Sequence, residues 1–450
     1  MTQDPERTTA GIGPDQLTRV APSSADAAPD PGRRIRRLLG SSSGRLILAA
    51  AVLFVVLSIV RVITGADELT APGTVSATLR LSIPLLLAGL AGLWAERVGI
   101  VNIGIEGMMI LGTWFGAYGA WKFGPWTGIL LGIAGGALGG LIHATATVKF
   151  NVDHVISGVA INILALGATQ YLSEIFFNGQ PGGGVSKSPP QLAPIQSLTA
   201  PYLAGGAVGG QPTSDLLGSL YDEKIPVISD AAGVVRGVLT DLSWATIAAL
   251  LLVPLTAFIL WRTAFGLRLR SSGEAPAAAE SLGVRVIRLR YLAMTISGGL
   301  AGFGGAFLAI VASSAYREGQ TANRGYIGLA IMIFGNWRPA GLLGGASLFG
   351  FTDALQLLGK SAIPALFLFV AIVLVLIAGL QLSRGRKAAA AVAAACGVGF
   401  LVLWLTVDAL TSDLVAITPY VVTLLVLAVA SQRLRPPAHA GLPYRSGDNH

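Results

Sequence analysis

GLRLRSSGEAPAAAESLGVRVIRLR, residues 266–290, is a basic, helix-forming stretch set between two long apolar runs. With Arg262 just ahead of it, it brings together six arginines (Arg262, Arg268, Arg270, Arg285, Arg288, Arg290) against two acids, Glu274 and Glu280. Arginine bias of this kind places a loop on the cytoplasmic side of a membrane. A polar loop anchored at both ends in a bilayer suits docking of a cytoplasmic partner; an ordinary solvated inner loop is the other reading of the same composition. Ser271 and Ser272 ahead of Glu274 read as a helix start, and APAAAES as a short helix closed by Gly283.

Composition outward from this loop gives the class. Hydrophobic residues make up 53% of the 450 and charged residues only 12%, where soluble domains carry about a quarter charged. Mean hydropathy is +0.68. The net charge of +8 comes from arginines at helix ends and in inner loops, so it reads as a determinant of topology and not as a nucleic-acid surface. Cys396 is the only cysteine and has no internal partner for a disulfide. There is no glycine-rich phosphate loop ending in Lys-Ser/Thr, no cluster of metal ligands around the four histidines, and no nucleophile–base pair. Catalysis, a cofactor and a metal are therefore not expected.

Residues 1–43 are rich in Pro, Ser, Ala and Asp and end in Arg33-Arg-Ile-Arg-Arg37, which reads as a disordered cytoplasmic tail. A transmembrane domain is expected over 44–431, with apolar runs at 46–63, 76–95, 103–122, 127–147, 154–177, 243–261, 291–313, 326–337, 341–359, 362–382, 388–408 and 414–431. The run 326–337 is too short to span unaided, so it either spans with help or re-enters, and the fold expected is all-α and polytopic with about 10–12 transmembrane helices. Basic residues fall on the even-numbered crossings, which puts both termini in the cytoplasm, 178–242 outside, and 262–290 and the tail 432–450 inside. Gly132, Gly136 and Gly140, four apart, and the later Gly298, Gly302 and Gly305 have the spacing of close helix contacts in lipid.

Two motifs put polar side chains into apolar runs. ERVGIVNIGIEGMM (96–109) sets Asn102 and Glu106 four apart, which predicts one shared helix face. An acid costs on the order of 3 kcal/mol at the bilayer centre, so Glu106 either lines a polar path or pairs near the inner interface and holds helices in register. HVISGVAINILALG (154–167) adds Ser157 and Asn162. A buried amide in lipid needs a partner, either another helix or a polar solute, which makes Asn162 the better path candidate; His154 reads as a structural residue ahead of a proton relay. A third block, RGYIGLAIMIFGNWRPAGLLGGASLFGF (324–351), reads as a broken hairpin.

Together with GLRLRSSGEAPAAAESLGVRVIRLRYLAMTISGGLAGFGGAFL (266–308), ITPYVVTLLVLAVAS (417–431) and RPPAHAGLPYRS (435–446), these motifs resemble, in order, the membrane permeases of bacterial nucleoside-uptake ABC transporters. Those permeases sit in the branched-chain amino acid/ribose/simple-sugar permease superfamily. The likeness covers about 74–360 and 417–446. It implies one permease half of an importer in the bacterial cytoplasmic membrane, not itself an enzyme. Its implied partners are a tandem-domain ATPase, a second, different permease and a solute-binding lipoprotein of the basic-membrane-protein type, with a nucleoside as substrate. It also implies a coupling helix over 273–283, with Gly273, Glu274, Pro276, Ala279, Glu280 and Gly283 toward the ATPase. Ala275 stands where the family usually has Asn, and 361–411 reads as a two-helix insertion. A simple-sugar permease is the nearest alternative; an ion-coupled secondary transporter is also compatible with twelve spans and an intramembrane Glu106.

Overall fold

The computed structural model describes residues 42–181, 187–358, 362–407, 434–445 and 447. Most of the N-terminal tail and the whole expected span 414–431 lie outside the described residues. Residues up to Val55 form one unit, of which the first part of helix α1 (Ser42–Thr64) is described, and Val56–His450 form a second.

The second unit is built of helices whose ends follow from local chemistry. Proline at the first turn opens α2 (Pro72–Arg97) and α4 (Pro125–Ala144), where its missing N–H costs no hydrogen bond. Between them lies α3 (Ile105–Phe123). Asp153 caps α5 (His154–Phe176), its carboxylate accepting from the N–H groups of Val155 at 2.8 Å and Ile156 at 3.1 Å. Two short helices, α6 (Leu216–Asp222) and α7 (Ile228–Leu239), occupy the 178–242 segment. The strand β1 (Ser197–Leu198) pairs there antiparallel with β4 (Leu242–Ser243), and β2 (Ala207–Val208) with β3 (Gln211–Pro212). Ser243 caps α8 (Trp244–Arg262).

The basic loop holds two helices, α9 (Ala264–Glu274) and α10 (Pro276–Ser281). Here the expected helix start at Ser271 and Ser272 is corrected. Thr263 caps α9, accepting from Gly266 N at 3.0 Å, and both serines lie inside it with their hydroxyls bonded back to the carbonyls of Arg268 and Leu269. The break falls at Ala275 (φ −149°, ψ 79°) because Pro276 removes an N–H and bars its predecessor from helical geometry. The chain continues as α11 (Val286–Phe307), carried on by a π turn at Leu308–Ala312, then α12 (Arg324–Phe334), α13 (Pro339–Leu358), α14 (Ala362–Ser383) and α15 (Lys387–Thr406).

Among the described residues, eight helices are long and apolar enough to cross a membrane. The fold is all-α and polytopic, with α3 and α13 matching these eight in length. Helix α12 has 11 residues, about 16 Å of rise, or half a bilayer core. It ends in a turn through Asn336 and Trp337, both at φ 52°. At the centre, α11 packs between α2, α3 and α4. A Cβ on Gly136 would overlap the Gly298 carbonyl and the Gly302 backbone, so these two helices touch backbone to backbone, as small residues permit in lipid.

On the 178–242 side, the fully buried Asp230 of α7 accepts hydrogen bonds from Ser58 Oγ, from Thr70 Oγ1 at 2.5 Å and from Val227 N at 3.2 Å. The Arg61 Nε stands 3.0 Å from its carboxylate. Asp215 caps α6 and is gripped by Arg236 at 2.8 and 2.5 Å. Partial burial works to raise the Asp215 carboxyl, but the Arg236 fork and the Gly218 N–H outweigh it and hold the group below the usual carboxylate range. A carboxyl lowered in the native state stabilises above its unfolded value, about 4, and loses that contribution as pH falls through the lowered one. Protease cleavage within 197–243 is thus expected to rise on acidification below about pH 4, and an Asp215→Asn variant to show it already at neutral pH.

Candidate functional site

The turn 98–104 joins α2 to α3 and positions the polar residues singled out above. Glu96 and Arg97 close α2 against Trp337: the indole Nε1 donates to Glu96 Oε2 at 2.6 Å, and Arg97 Nη2 donates to the Trp337 carbonyl at 2.8 Å. Helix α3 begins only at Ile105, so Asn102 and Glu106 do not share a helix face. Asn102 lies in the turn, fully buried, and donates to Ser297 Oγ at 3.0 Å, which in turn donates to the Ala91 carbonyl at 2.7 Å. Ser157 is buried against His143 Nδ1 at 2.9 Å, and His154 Nδ1 accepts from Val101 N at 3.3 Å. Asn102, Ser157 and His154 therefore hold the turn between α2, α4, α5 and α11.

Glu106 and Asn162 are brought together elsewhere, on a half-open groove of about 400 Å³ between α3, α5 and the start of α12. Glu106 Oε1 accepts from Asn323 N at 3.0 Å and Oε2 from Gly325 N at 2.7 Å. Its carboxylate thus caps α12 and sits in the first turn of α3, where the positive ends of two helices offset part of the cost of an acid in lipid. The depth can be read along α2. Gly328 lies against Ala88 and Gly89, two helical turns from Glu96, and Gly325 is nearly one turn farther. At 1.5 Å per residue Glu106 is about 15 Å from the level of Glu96, near the midpoint of α2, whose 26 residues are long enough to cross a core of about 30 Å.

Asn162 makes three hydrogen bonds: its Oδ1 accepts from Gly107 N at 2.7 Å, and its Nδ2 donates to the Ile103 carbonyl at 3.1 Å and to Tyr326 Oη at 2.7 Å. It therefore orients Tyr326, whose own O–H points elsewhere. Tyr326, 40% exposed, offers the groove an aromatic face and a hydroxyl donor, and the carboxylate of Glu106 keeps lone pairs beyond the two it uses. Tyr326 was missed at the sequence level, where the only signal was a tyrosine inside a short apolar piece. The groove is walled on one side by exposed Val159, Ile163 and Leu166. A second cleft of about 230 Å³, at the N-terminal ends of α2 and α8, contains none of the candidate residues.

Residues 74–379 match the family described as branched-chain amino acid transport system / permease component. The chain belongs to this family. The permease is similar to the guanosine ABC transporter permease protein NupQ of Bacillus subtilis, 35% identical over 64% of this chain and 82% of that one. A putative glucose ABC transporter permease protein of Haloferax volcanii is also 35% identical, over 66% and 80%. The nucleoside ABC transporter permease protein NupC of Lactococcus lactis is 32% identical, over 65% and 86%. No solved structure matches. This chain is thus a multi-pass membrane permease subunit of an ABC transporter, and the matched region contains both the groove and the basic loop.

In that loop the structure separates the six expected coupling positions. Gly273, Pro276 and Ala279 are buried. Glu274 stays exposed while accepting from Ala438 N at 3.1 Å, with Arg97 Nη1 3.9 Å away, and Glu280 accepts from Tyr444 Oη at 2.5 Å. Gly283, at φ +80°, ends the turn after α10. Glu274 and Gly283 share the outward face of this region with Ala275, Ala277, Ala278, Ser281 and Leu282, the last 86% exposed.

Proposed function

We propose that this permease imports nucleosides across a bacterial cytoplasmic membrane by alternating access, as one of two different permease halves. The observation that carries the reading is the groove: a carboxylate held at half depth by the N-terminus of a half-length helix, beside an oriented tyrosine. Substrate sites between discontinuous membrane helices have this layout. The Tyr326 ring can stack on a base while Glu106 accepts from sugar hydroxyls or ring N–H groups. The groove opens beside its exposed α5 wall, and polar groups open to lipid are costly, so a second permease half covers it. An extracytoplasmic solute-binding lipoprotein delivers substrate to the 178–242 side, and a tandem-domain ATPase docks on the basic loop.

A sugar substrate is the second reading, favoured by the Haloferax relative. The test is uptake into proteoliposomes containing the assembled complex, with ATP trapped in the lumen and labelled guanosine or glucose outside. Guanosine accumulation that needs ATP is expected. Accumulation of glucose alone moves the substrate to the sugar class, and guanosine uptake by this chain alone under a proton gradient overturns ATP-driven transport.

The exposed Leu282 supports a specific contact with the ATPase. Burying a leucine is worth about 1.5–3 kcal/mol, so Leu282→Asp is expected to weaken ATPase binding at least about tenfold in titrations of the detergent-solubilised permease pair. Wild-type affinity in that variant would place the contact elsewhere.

A further inference from the structure

Residues 434–445 come back to the basic loop from far along the chain, and their backbone is bonded to it, to the 98–104 turn and to the turn after α12. Arg435 N donates to Asn336 Oδ1 at 2.9 Å, Ala438 N to Glu274 Oε2 at 3.1 Å, His439 N to the Gly273 carbonyl at 3.0 Å, and Gly441 N to the Gly99 carbonyl at 3.1 Å. The segment therefore ties the end of α9 to the 98–104 turn. These two are already in backbone contact, because a Cβ on Gly273 would overlap the Arg97 carbonyl and stand 3.0 Å from Gly99 N.

Tyr444 makes the remaining link. It is buried in a small cluster with Ala279 and Val286, its hydroxyl donates to Glu280, and its ring lies 5.2 Å from the Arg290 guanidinium. Arg290 is 1% exposed, and its Nε and Nη2 find no hydrogen-bond partner among the described residues. The tyrosine ring is thus a main source of compensation for a buried cation. One aromatic side chain packs on α10 at Ala279 and on the first turn of α11 at Val286.

We propose that the C-terminal segment 434–445 is a strap that carries displacement of α10 to the 98–104 turn, and through it to Glu106, with Tyr444 as the positioning residue that seats α10. The strap, the coupling helix and the turn form one hydrogen-bonded unit, and the turn leads in two residues to the carboxylate that caps α12. The inference rests on the reading of α10 as the element the ATPase moves.

The test is the number of solute molecules accumulated per ATP hydrolysed by the full complex in proteoliposomes. It uses whichever of labelled guanosine or glucose the wild-type complex carries, so failure of the nucleoside reading leaves it intact. Tyr444→Ala is expected to lower this ratio at least about fivefold while the ATPase still co-purifies and hydrolyses ATP. Tyr444→Phe keeps the ring over Arg290 but loses the bond to Glu280, and is expected to lower the ratio about twofold. A merely structural role would lower recovery of the complex and leave the ratio of the recovered fraction unchanged. That outcome in Tyr444→Ala overturns the proposal; should Tyr444→Ala fail to assemble, an unchanged ratio in Tyr444→Phe overturns it.

Discussion

Glu106→Ala is expected to reduce uptake by at least about thirtyfold while the permease still inserts and assembles with its partners. The carboxylate accepts the backbone N–H groups of Asn323 and Gly325. Alanine leaves both donors without this acceptor at half depth in the bilayer. Each such group costs about 1–3 kcal/mol, and tenfold corresponds to about 1.4 kcal/mol, so the two together span roughly one and a half to four decades. The cost falls on α12, which has 11 residues, no side-chain cap of its own, and Asn323 at φ 64°. Its first turn should loosen, and with it Tyr326 and the groove wall. Glu106→Gln keeps one acceptor oxygen but aims an NH₂ at the other donor, and should fall between. The check is initial uptake rate normalised to assembled complex; wild-type rates in both variants would detach the carboxylate from transport.

Asp230→Ala is expected to be the most destabilising change on the 178–242 side, by about 3–5 kcal/mol, the usual cost of removing one partner from a buried ion pair. Asp230 is fully buried, and what it leaves behind is Arg61, itself 5% exposed, with Ser58, Thr70 and the Val227 N–H. These groups lie at the end of α1, just before α2, and just before α7, so their loss releases α7 from the membrane helices. Asp230→Asn keeps the hydrogen-bonding oxygen and leaves Arg61 with the charge of Asp67, 3.3 Å from its Nη1, and should cost less. Thermal denaturation in detergent, followed together with protease cleavage within 197–243, reads both. Unchanged midpoints would mean that Arg61 is neutralised by other groups.

Most of the architecture was legible because lipid imposes simple rules. Apolar runs of the right length gave the helices that are described, and glycine spacing marked Gly136, Gly298 and Gly302 for close helix contacts, though not for contact with one another. The half-length of α12 followed from counting residues. The interior of the basic loop was not legible in the same way. Two serines ahead of an acid look like a cap, and only the constraint that Pro276 places on Ala275 moves the break four residues on.

The site divided for a different reason. A four-residue spacing implies one face only if the helix is continuous. The start of α3 at Ile105 depends on contacts far away in the chain, among them Asn102 with Ser297 and Gly104 against Gly158. Glu106 and Asn162 share the groove because α5 and α12 converge there, and Tyr326 joins them through a single hydrogen bond across 164 residues. Likewise, nothing local to Glu274 or Glu280 announces that the C-terminal segment satisfies them.

The central claim is that solute passes through the groove between α3, α5 and α12. The most direct measurement is photo-crosslinking of the assembled complex with a labelled azido-guanosine, followed by mapping of the modified peptides. The account predicts label within 159–166 and 319–326, suppressed by excess guanosine and lost in Glu106→Ala. Competable label confined to other segments of the permease, with none in these two, would contradict it.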